Sequence, residues 1–304
     1  MAADNCWLVI VNPASGHAGR RHRWPAIEQA LSGAAVEFEQ VRTQYAGHGE
    51  LLAAQALRDG YRRIAVVGGD GSVNEVLHGI MNSGLADTRD VTLAVVPQGT
   101  GNDWARSLGI GREPAVIAGT LAAGRTMLHD VGVIDFPSSG ARRRWFINVA
   151  GAGYDAYVTE RVPRPVPSAV TYLAIALRGL ASFAAPEFCI DADGTRIEAR
   201  LLLAFVANAR YCGNRMCVAP TALMDDGLLD VLAVQELSLL QALPKLAKLY
   251  RGRILGDPAV RHVRAARVRI ATTPPAVIQA DGQIVGQAPA EFSLLRKALR
   301  VIVP

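Results

Sequence analysis

The chain has 304 residues, half of them hydrophobic, with 29 glycines and a formal net charge of +5 at pH 7. This composition excludes an intrinsically disordered protein and is enough for two ordinary domains with buried cores. The isoelectric point of about 9.2 suits anionic partners such as nucleotides or phospholipid headgroups. Because no nucleic-acid-binding motif accompanies the positive charge, we expect no nucleic acid among the partners.

The cysteines and the apolar segments indicate the cellular compartment. Cys6, Cys189, Cys212 and Cys217 form neither a dense disulfide framework nor a paired zinc motif, so we expect reduced thiols used for packing. The N-terminal residues lack a basic region followed by a long apolar stretch. The longest apolar segment, residues 168–185, carries Arg178 and is too polar for a clean membrane span. We therefore expect a cytoplasmic protein.

The first 130 residues alternate short apolar runs with helical patterns. Strands are predicted at 8–11, 36–41, 64–67 and 93–96, and helices at 20–31, 50–58, 73–82 and 114–123. Runs that are apolar throughout are typical of strands buried on both faces of a parallel sheet, whereas residues 36–41 alternate and fit a strand nearer an edge. The pattern predicts a doubly wound, mostly parallel α/β domain over residues 1–130.

After residue 130 the strand patterns predominate. Strands are predicted at 131–136, 144–149, 188–192, 197–208, 228–234, 263–271 and 277–280, and helices only at 168–185 and 238–255. This predicts a second, mostly antiparallel β-sandwich-like domain over residues 131–304, whose last strand can return to the first domain. Since no low-complexity linker separates the two parts, we expect them to pack around a cleft.

The most informative segment is a glycine-rich turn between a predicted strand and a predicted helix, Val66-Val67-Gly68-Gly69-Asp70-Gly71-Ser72-Val73-Asn74-Glu75. Its three glycines let backbone N–H groups approach an anion without interference from a Cβ. The helix N-terminus adds a dipole that favours phosphate. Asp70 can orient a phosphate-bound Mg²⁺ or an acceptor hydroxyl, and Ser72 can donate to phosphate. Taken alone, the segment is equally well interpreted as an ordinary strand–turn–helix corner.

Two further polar turns follow predicted strands in the same way. One is Asn12-Pro13-Ala14-Ser15-Gly16, and the other runs over residues 97–106 with Thr100, Asn102 and Asp103 as polar groups. All three turns should lie at the carboxyl edge of one parallel sheet, where open α/β folds bind their ligands. Three such turns on one edge predict a nucleotide site.

These turns, with the motifs that follow them, resemble the diacylglycerol kinase and sphingosine kinase catalytic-domain family. Residues 148–155 are similar to its N–x–x–G–x–G–x–D element, residues 220–231 to its P–x–A–x–x–x–D–G–L–L–D–V element, and residues 280–282 to its late A–D–G turn. The motifs occur in order along nearly the whole chain. The resemblance implies transfer of a phosphoryl group from ATP to a lipid hydroxyl.

The resemblance also implies which residues bind the cofactors. ATP contacts would come from Asn12, Pro13, Ala14, Ser15, Gly16, Thr43, Gly68, Gly69, Asp70, Gly71, Ser72, Val73, Asn74 and Thr100. Mg²⁺ would be held by the backbone carbonyls of Leu223 and Leu228 and by the carboxylate of Asp226, oxygen ligands that suit a hard cation. Without the family, the same segment is more simply interpreted as an acidic turn before a strand.

One position departs from the family pattern. The family's late motif usually reads D–G–E, and its Glu is regarded as the general base, whereas this chain reads Asp281-Gly282-Gln283. An amide cannot take up a proton at neutral pH. Either Asp281 or Asp70 accepts the proton, with Asp103 helping to organise the phosphates and the acceptor, or turnover is slow or lost. Phosphoryl transfer depends mainly on positioning and charge neutralisation, so the departure does not affect the expectation of ATP binding.

The lipid would approach through the second domain. Residues 168–185 form an apolar helix candidate, and residues 237–255 carry Lys245, Lys248, Arg251 and Arg253 among leucines. The latter pattern fits either a helix on an anionic membrane surface or, more commonly, a core-facing helix with a solvated basic face. We predict a lipid kinase in peripheral contact with the inner face of the membrane. A NAD or sugar kinase of the related fold, or a nucleotide-binding regulatory protein without turnover, are the alternatives. The sequence does not choose the lipid and leaves a homodimer open.

Overall fold

The computed structural model describes residues 6–16, 23–84, 87–137, 140, 142–163 and 169–304. The chain divides into two compact units. The first consists of Met1–His129 together with Lys297–Pro304, and the second consists of Asp130–Arg296.

The first unit alternates strands and helices. Its elements are β1 (Trp7–Val11), α1 (Trp24–Gly33), β2 (Phe38–Arg42), α2 (His48–Arg58), β3 (Arg63–Gly68), α3 (Asp70–Met81), a 3₁₀ turn (Thr88–Asp90), β4 (Thr92–Pro97), α4 (Asp103–Ser107), α5 (Pro114–Ala123) and the start of β5 (Thr126–Asp135).

The first unit is built on a parallel sheet in the order β2–β1–β3–β4. Near the end of the chain, Arg300 and Val301 add a parallel pairing to β4. Alternate residues of β1, β3 and β4 form a core with α1 and α5, including Val9, Val67 and Ile27, while α2 and α3 pack on each other and contact β1 and β3. Side chains that alternate with this core set, such as Ile10 and Val66, are also buried. The doubly wound fold is confirmed, with β2 at the edge as its alternating pattern indicates.

An acidic side chain of α3 fixes the start of the neighbouring helix. Glu75 accepts hydrogen bonds from the backbone N–H groups of Gly47 (2.8 Å) and Gly49 (3.0 Å). These N–H groups lie at the N-terminus of α2, where the helix itself offers them no partner. The carboxylate therefore holds α2 against α3 and fixes the loop that follows β2.

The second unit is rich in strands. After β5 its elements are β6 (Arg144–Phe146), β7 (Val149–Gly153), α6 (Tyr154–Arg161), α7 (Ala169–Leu180), β8 (Glu187–Ala192), β9 (Thr195–Ala207), β10 (Tyr211–Cys212), β11 (Met216–Cys217), β12 (Leu229–Gln235), α8 (Leu239–Tyr250), β13 (Val260–Ala265), β14 (Arg267–Thr273), β15 (Val277–Ala280), β16 (Gln283–Gln287) and β17 (Ala290–Ile302).

Strand β9 connects two antiparallel arrays of the second unit. Its first half pairs with β8, and its second half pairs with β7 and β12. The β8 side continues to β14 and β17, and the β7 side continues to β15 and β16. Residues from both sides, among them Phe146, Ile190, Val206, Ile270 and Phe292, form one buried core. A β-sandwich-like second part is therefore confirmed.

Two predicted strands are each split in the structure, and at each split a different carboxylate accepts the backbone N–H groups. The strand predicted over 144–149 is two strands, β6 and β7, because the backbone N–H groups of residues 147–149 bond to Asp281 instead of to a neighbouring strand. The strand predicted over 263–271 is interrupted at Ala266, whose N–H donates to Asp193 Oδ2 at 2.6 Å. Predicting each as a single strand was wrong, since the apolar pattern does not reveal a distant acceptor.

Other elements differ in extent. The long helices predicted at 168–185 and 238–255 are shorter in the structure, as α7 and α8. The elements α4, α6, β10, β11 and β16 were not predicted, and β17 was expected only as a last strand without bounds. Residue 168 and residues 20–22 of the first predicted helix lie outside the described residues. Within the described part of the chain, none of the helices has both the length and the apolar character needed to cross a bilayer.

Candidate functional site

The turn after β1 is joined to the glycine-rich turn after β3. Asn12 donates its backbone N–H to the Val67 carbonyl (2.9 Å) and its side-chain Nδ2 to Ser72 Oγ (2.8 Å). Its Oδ1 accepts the N–H of Ala14 at 2.9 Å. One amide side chain thus fixes the shape of its own turn and ties it to the start of α3.

The turn after β4 is joined to the same glycine-rich turn through backbone atoms. The N–H of Gln98 donates to the Gly68 carbonyl at 2.9 Å. Gly69 and Gly99 then approach so closely that a Cβ on Gly99 would lie 2.5 Å from the Gly69 Cα. Asn102 closes the turn, because its Oδ1 accepts the N–H of Gly99 (2.9 Å) and its Nδ2 donates to the Gly99 carbonyl (2.6 Å). The three predicted turns therefore do lie together at one edge of the sheet.

Asp70, at the start of α3, also fixes the start of α4. Its carboxylate accepts the backbone N–H groups of Asp103 (3.1 Å) and Trp104 (3.0 Å). A Cβ on Gly101 would lie 3.2 Å from Asp70 Oδ2 and 3.3 Å from Asp103 Oδ2, so the two carboxylates flank the same point. Burial raises the pKa of Asp70, against the lowering effect of these backbone hydrogen bonds. This carboxyl group is thus a stronger base than an ordinary aspartate.

The remaining predicted ATP-binding residues differ in exposure. Thr43 follows β2 at the same edge and donates its N–H to the Val11 carbonyl at 2.9 Å. Pro13 and Ala14 are exposed, whereas Val73 and Asn74 are buried in α3. Ser15, Gly16 and Thr100 are half-buried on the outer turns.

Among the described residues, no packing contact requires a glycine at position 71. Gly71 is exposed on the first turn of α3, and a Cβ added there would meet no atom within 4 Å. The first N–H groups of an α-helix have no partner within the helix and attract anions. The N-terminus of α3, lined by Gly71 and Ser72, can therefore receive a phosphate group.

The predicted metal segment forms an acidic turn in the second unit. Asp226 Oδ1 accepts the N–H of Leu228 at 3.0 Å, and its Oδ2 is paired with the guanidinium of Arg264. The next residue, Gly227, donates its N–H to the buried Asp130 carboxylate at 2.7 Å. Leu223 lies earlier on the same segment, with 45% of its surface exposed. The turn thus brings Asp226 and Leu228 into direct contact.

Arg264 connects this turn to a second, fully buried carboxylate. Asp230 Oδ2 accepts from Arg264 Nε at 3.3 Å, and its Oδ1 contacts His262 Nε2 and Thr221 Oγ1, each at 2.7 Å. Burial alone would raise the pKa of Asp230, but the hydrogen bonds from His262 and Thr221 bring it below the usual value. Asp230 therefore stays ionised and holds Arg264 beside Asp226.

The donor atoms of this turn suit Mg²⁺. One carboxylate and backbone carbonyl oxygens are hard ligands, and a carboxylate has about four lone-pair positions, two of which are used here. Among the described residues, no group of three or more His, Cys, Asp and Glu side chains is arranged to hold a metal ion. The predicted Mg²⁺ ligands include a single carboxylate, so the metal site stays a prediction. A bound ion would share the Asp226 carboxylate with Arg264.

Asp281 serves the backbone of the second unit. It is buried and accepts three N–H groups, those of Ile147 (2.9 Å), Asn148 (3.0 Å) and Val149 (3.1 Å). Its own N–H donates to the Val149 carbonyl at 3.0 Å. The carboxylate therefore fixes the connection between β6 and β7, and a role for it as the base stays a prediction.

The turn that carries Gln283 is connected to a carboxylate that was not predicted as a site residue. Gln279 Oε1 accepts the N–H of Gly282 (2.9 Å), and its Nε2 donates to Asp155 Oδ2 (3.0 Å). Asp155 Oδ1 is buried, and within the described part of the protein no hydrogen bond reaches it. Burial raises the pKa of Asp155 to about 6. The sequence signal available was its position two residues after the small-residue strand β7, at the end of the motif of residues 148–155.

Gln283 itself begins β16 and is half-buried. Both candidate carboxylates accept backbone N–H groups, three at buried Asp281 and two at half-buried Asp70. The pKa of Asp70 is raised, with burial as the largest cause. The raised pKa of Asp70 is consistent with proton uptake there, and the choice of Asp70 or Asp281 as the substitute for the missing Glu stays a prediction.

Comparison with known families covers nearly all of the described chain. Residues 6–134 match the diacylglycerol kinase catalytic domain, and residues 148–303 match the YegS C-terminal NAD kinase beta sandwich-like domain. The boundary between the two matches falls after β5, close to the division between the two compact units.

Two diacylglycerol kinases are similar to this chain over nearly its whole length. A diacylglycerol kinase of Mycobacterium tuberculosis is 31% identical over 97% of this chain and 94% of its own length. A diacylglycerol kinase of Bacillus subtilis is 29% identical over 97% of this chain and 95% of its own. The crystal structure of a diacylglycerol kinase from Bacillus anthracis has a TM-score of 0.73 at 22% identity, covering 99% of this chain and 97% of that one, which supports the fold.

The chain belongs to the diacylglycerol kinase family. It is therefore a kinase that transfers a phosphoryl group to an alcohol, and the alternative of a regulatory protein without turnover is not favoured.

Proposed function

We propose that this protein is an ATP-dependent lipid kinase that transfers the γ-phosphoryl group of ATP to the hydroxyl of a diacylglycerol-like or sphingoid-like lipid. The observation that carries the proposal is the meeting of three polar turns at the edge of the sheet where α3 begins. The names of the full-length relatives, diacylglycerol kinases, support a lipid acceptor.

The phosphate groups of ATP would lie against the start of α3. Exposed Gly71 leaves room for them, Ser72 can donate a hydrogen bond, and Asn12 orients the Ser72 hydroxyl. Asp103 faces the same point as Asp70 and would help to organise the phosphates and the acceptor. Holding the reactants in line accounts for much of the rate in phosphoryl transfer, because the protein supplies mainly position and charge.

In the transfer, the bond between the γ-phosphorus and the bridging oxygen breaks and a new bond to the lipid oxygen forms. The hydroxyl proton goes to Asp70, and ADP leaves with the electron pair of the broken bond. Asp70 suits this role because burial raises its pKa. Asp281 would act as a positioning residue for the turn that carries Gln283.

Mg²⁺ is proposed as the second cofactor, held by the Asp226 carboxylate and the carbonyls of Leu223 and Leu228. A bound Mg²⁺ neutralises negative charge and fixes phosphate-bearing partners in one geometry. Asp130 and Asp230 keep this turn in place, through Gly227 and through Arg264 respectively.

The experiment that tests the proposal follows labelled phosphate from γ-labelled ATP into a total lipid extract. Wild-type protein should label lipid, and Gly71→Val should abolish labelling and weaken ATP binding in calorimetry. Gly71→Val adds bulk where the protein has open space, so the unfolding temperature should change little. Unchanged ATP affinity in this variant would refute the assignment of the phosphate site.

A second acceptor class is supported by one observation, the match of residues 148–303 to an NAD kinase beta sandwich-like domain. An NAD kinase or a sugar kinase would leave the label in the aqueous phase. Separating lipid from aqueous products of the same reaction therefore distinguishes the two acceptor classes directly.

A further inference from the structure

The helix α8 presents an apolar surface to the outside of the second unit. None of its residues is buried. Leu240 is 82% exposed, Tyr250 47%, Leu243 46% and Leu239 44%. With 3.6 residues per turn, these four side chains and the exposed Ala247 lie on one side of the helix. We call this side the outer face of α8.

The lysines of α8 lie on the other side of the helix, where the side chain of Lys245 is 18% exposed and that of Lys248 is 45% exposed. Lys245 Nζ donates to Asp257 Oδ1 at 2.6 Å, and Lys248 Nζ donates to Asp257 Oδ2 at 2.7 Å. The side chain of Asp257 is only 1% exposed. Leu249 packs against a core cluster of this unit. The basic residues therefore anchor the helix, which is the reverse of a core-facing helix with a solvated basic face.

The acceptor of these ion pairs, Asp257, is itself held in place by several hydrogen bonds. Burial alone would raise the pKa of Asp257, but the hydrogen bonds from Lys245 and Lys248 bring it below the usual range. Asp257 also accepts the N–H of Ala259 at 3.0 Å. At the other end, Ser238 and Gln241 form a reciprocal cap on the first turn of α8. The outer face is thus built into a well-defined helix.

The charges on and next to α8 along the chain are positive. Residues 239–250 contain no Asp or Glu, and the chain continues from α8 into the exposed Arg251 and Arg253. The nearest acidic residue in sequence, Glu236, lies 3.8 Å from Arg200 Nε and is partly neutralised by it. An apolar face bordered by arginines is complementary to an anionic lipid surface, where leucines enter the apolar layer and arginines contact the headgroups.

We infer that the outer face of α8 docks the protein onto an anionic membrane surface. The inference deepens the proposed function, since it rests on a lipid substrate, and it assigns the membrane contact to Leu239, Leu240, Leu243 and Tyr250. Tyr250 adds an amphipathic ring at the boundary between headgroups and acyl chains. The two lysines, often assumed to contact lipid in such a helix, instead hold the leucines outward.

Co-sedimentation with vesicles tests the docking face without ATP. Wild-type protein should sediment with vesicles of equal parts phosphatidylglycerol and phosphatidylcholine. Leu240→Ser/Leu243→Ser should reduce the partition coefficient at least tenfold, because two leucines no longer enter the apolar layer. The matched control is Leu51→Ser/Val116→Ser, which changes two similarly exposed side chains, 57% and 50%, and should bind as the wild type does. Arg251→Gln/Arg253→Gln should weaken binding to anionic vesicles more than to neutral ones.

Each outcome is decisive for the docking face. Equal sedimentation of the wild type and the leucine variant would overturn it. Light scattering that shows a wild-type dimer dissociated by the leucine variant would mean that a second copy covers the face, which also overturns it. The third outcome is a wild-type protein that binds vesicles, with binding that depends on these leucines, but phosphorylates no lipid. This outcome would support the docking face and refute the lipid kinase proposal.

Discussion

Gly69 and Gly99 are in direct backbone contact. A Cβ on Gly99 would lie 2.5 Å from the Gly69 Cα, and a Cβ on Gly69 would lie 3.1 Å from the Gly99 Cα. Since real Cβ contacts are rarely shorter than about 3.4 Å, no side chain fits between the two turns without a backbone shift. This contact, rather than phosphate binding alone, explains why both positions are glycine.

The contact predicts that two glycine substitutions at this edge behave differently. Gly99→Ala should lower the free energy of unfolding by about 1–3 kcal/mol, because overpacking displaces backbone. Gly71→Ala should leave it unchanged or raise it by up to about 1 kcal/mol, since Ala is the better helix former and the space is open. Chemical denaturation measures both. An equal decrease in the free energy of unfolding of Gly99→Ala and Gly71→Ala would show that packing does not distinguish the two positions.

The raised pKa of Asp70 predicts where proton acceptance takes place. Asp70→Asn should reduce kcat about 10²–10⁴-fold, the usual contribution of a general base, while Gln283→Glu should change it by less than about threefold. The acid limb of the wild-type kcat profile should lie above the usual range of an aspartate, because protonated Asp70 cannot accept the hydroxyl proton.

Asp281→Asn is the comparison for Asp70→Asn. Asp281 accepts three backbone N–H groups, and an amide can accept at only one of its two positions. This variant should therefore lose stability, by about 1–3 kcal/mol for each N–H left without a partner. A large gain in turnover from Gln283→Glu would instead mean that the base was lost at residue 283 and not replaced by Asp70.

The ion pair between Asp226 and Arg264 predicts opposite effects on the Mg²⁺ requirement. Arg264→Gln removes a cation that would share the Asp226 carboxylate with the proposed Mg²⁺, so half-maximal activity should need less Mg²⁺. Asp226→Asn removes the proposed charged ligand, so half-maximal activity should need more Mg²⁺. His262 and Thr221 still bond to Asp230 in the first variant, so the turn should persist. Magnesium titrations that coincide for both variants and the wild type would show that this segment is only a turn.

The sequence alone was sufficient for the parallel part of the fold and for the edge at which its turns meet. Strands such as β3, where five of six residues are buried, reveal themselves as apolar runs. A turn that follows such a strand must lie at the carboxyl edge, so the neighbourhood of Asn12 and Ser72 followed from topology.

What could not be predicted depends on contacts between residues distant in sequence. The break between β6 and β7 arises because Asp281, more than 130 residues away, takes up three N–H groups. The inward direction of Lys245 and Lys248 depends on Asp257. A helix whose lysines face solvent would show the same sequence pattern, so the pattern does not distinguish the two orientations. Carboxylates that organise distant backbone leave no periodic signal, and so Asp70 and Asp281 were predicted for catalysis and not for structure.

The buried carboxyl of Asp155 predicts a pH-dependent stability. Its pKa, raised by burial to about 6, exceeds the reference value of 3.8, so the folded protein binds this proton more tightly than the unfolded chain does. The resulting stability is fully present below about pH 4 and is lost as pH rises through 6. Above pH 6, the charged carboxylate lowers the free energy of unfolding by about 2–3 kcal/mol. Asp155→Asn removes the charge while an amide oxygen can still accept from Gln279.

Urea denaturation of the wild type and Asp155→Asn at several pH values tests this assignment. The variant should be more stable than the wild type at pH 8, and the difference should shrink towards zero at pH 4, because the wild-type carboxyl is then protonated. The exposed Asp225 provides the control, because Asp225→Asn makes the same exchange of a carboxylate for an amide at a solvated position. A constant offset between pH 4 and pH 8 for Asp155→Asn would contradict the assignment, because it would mean that the carboxyl does not titrate in this interval.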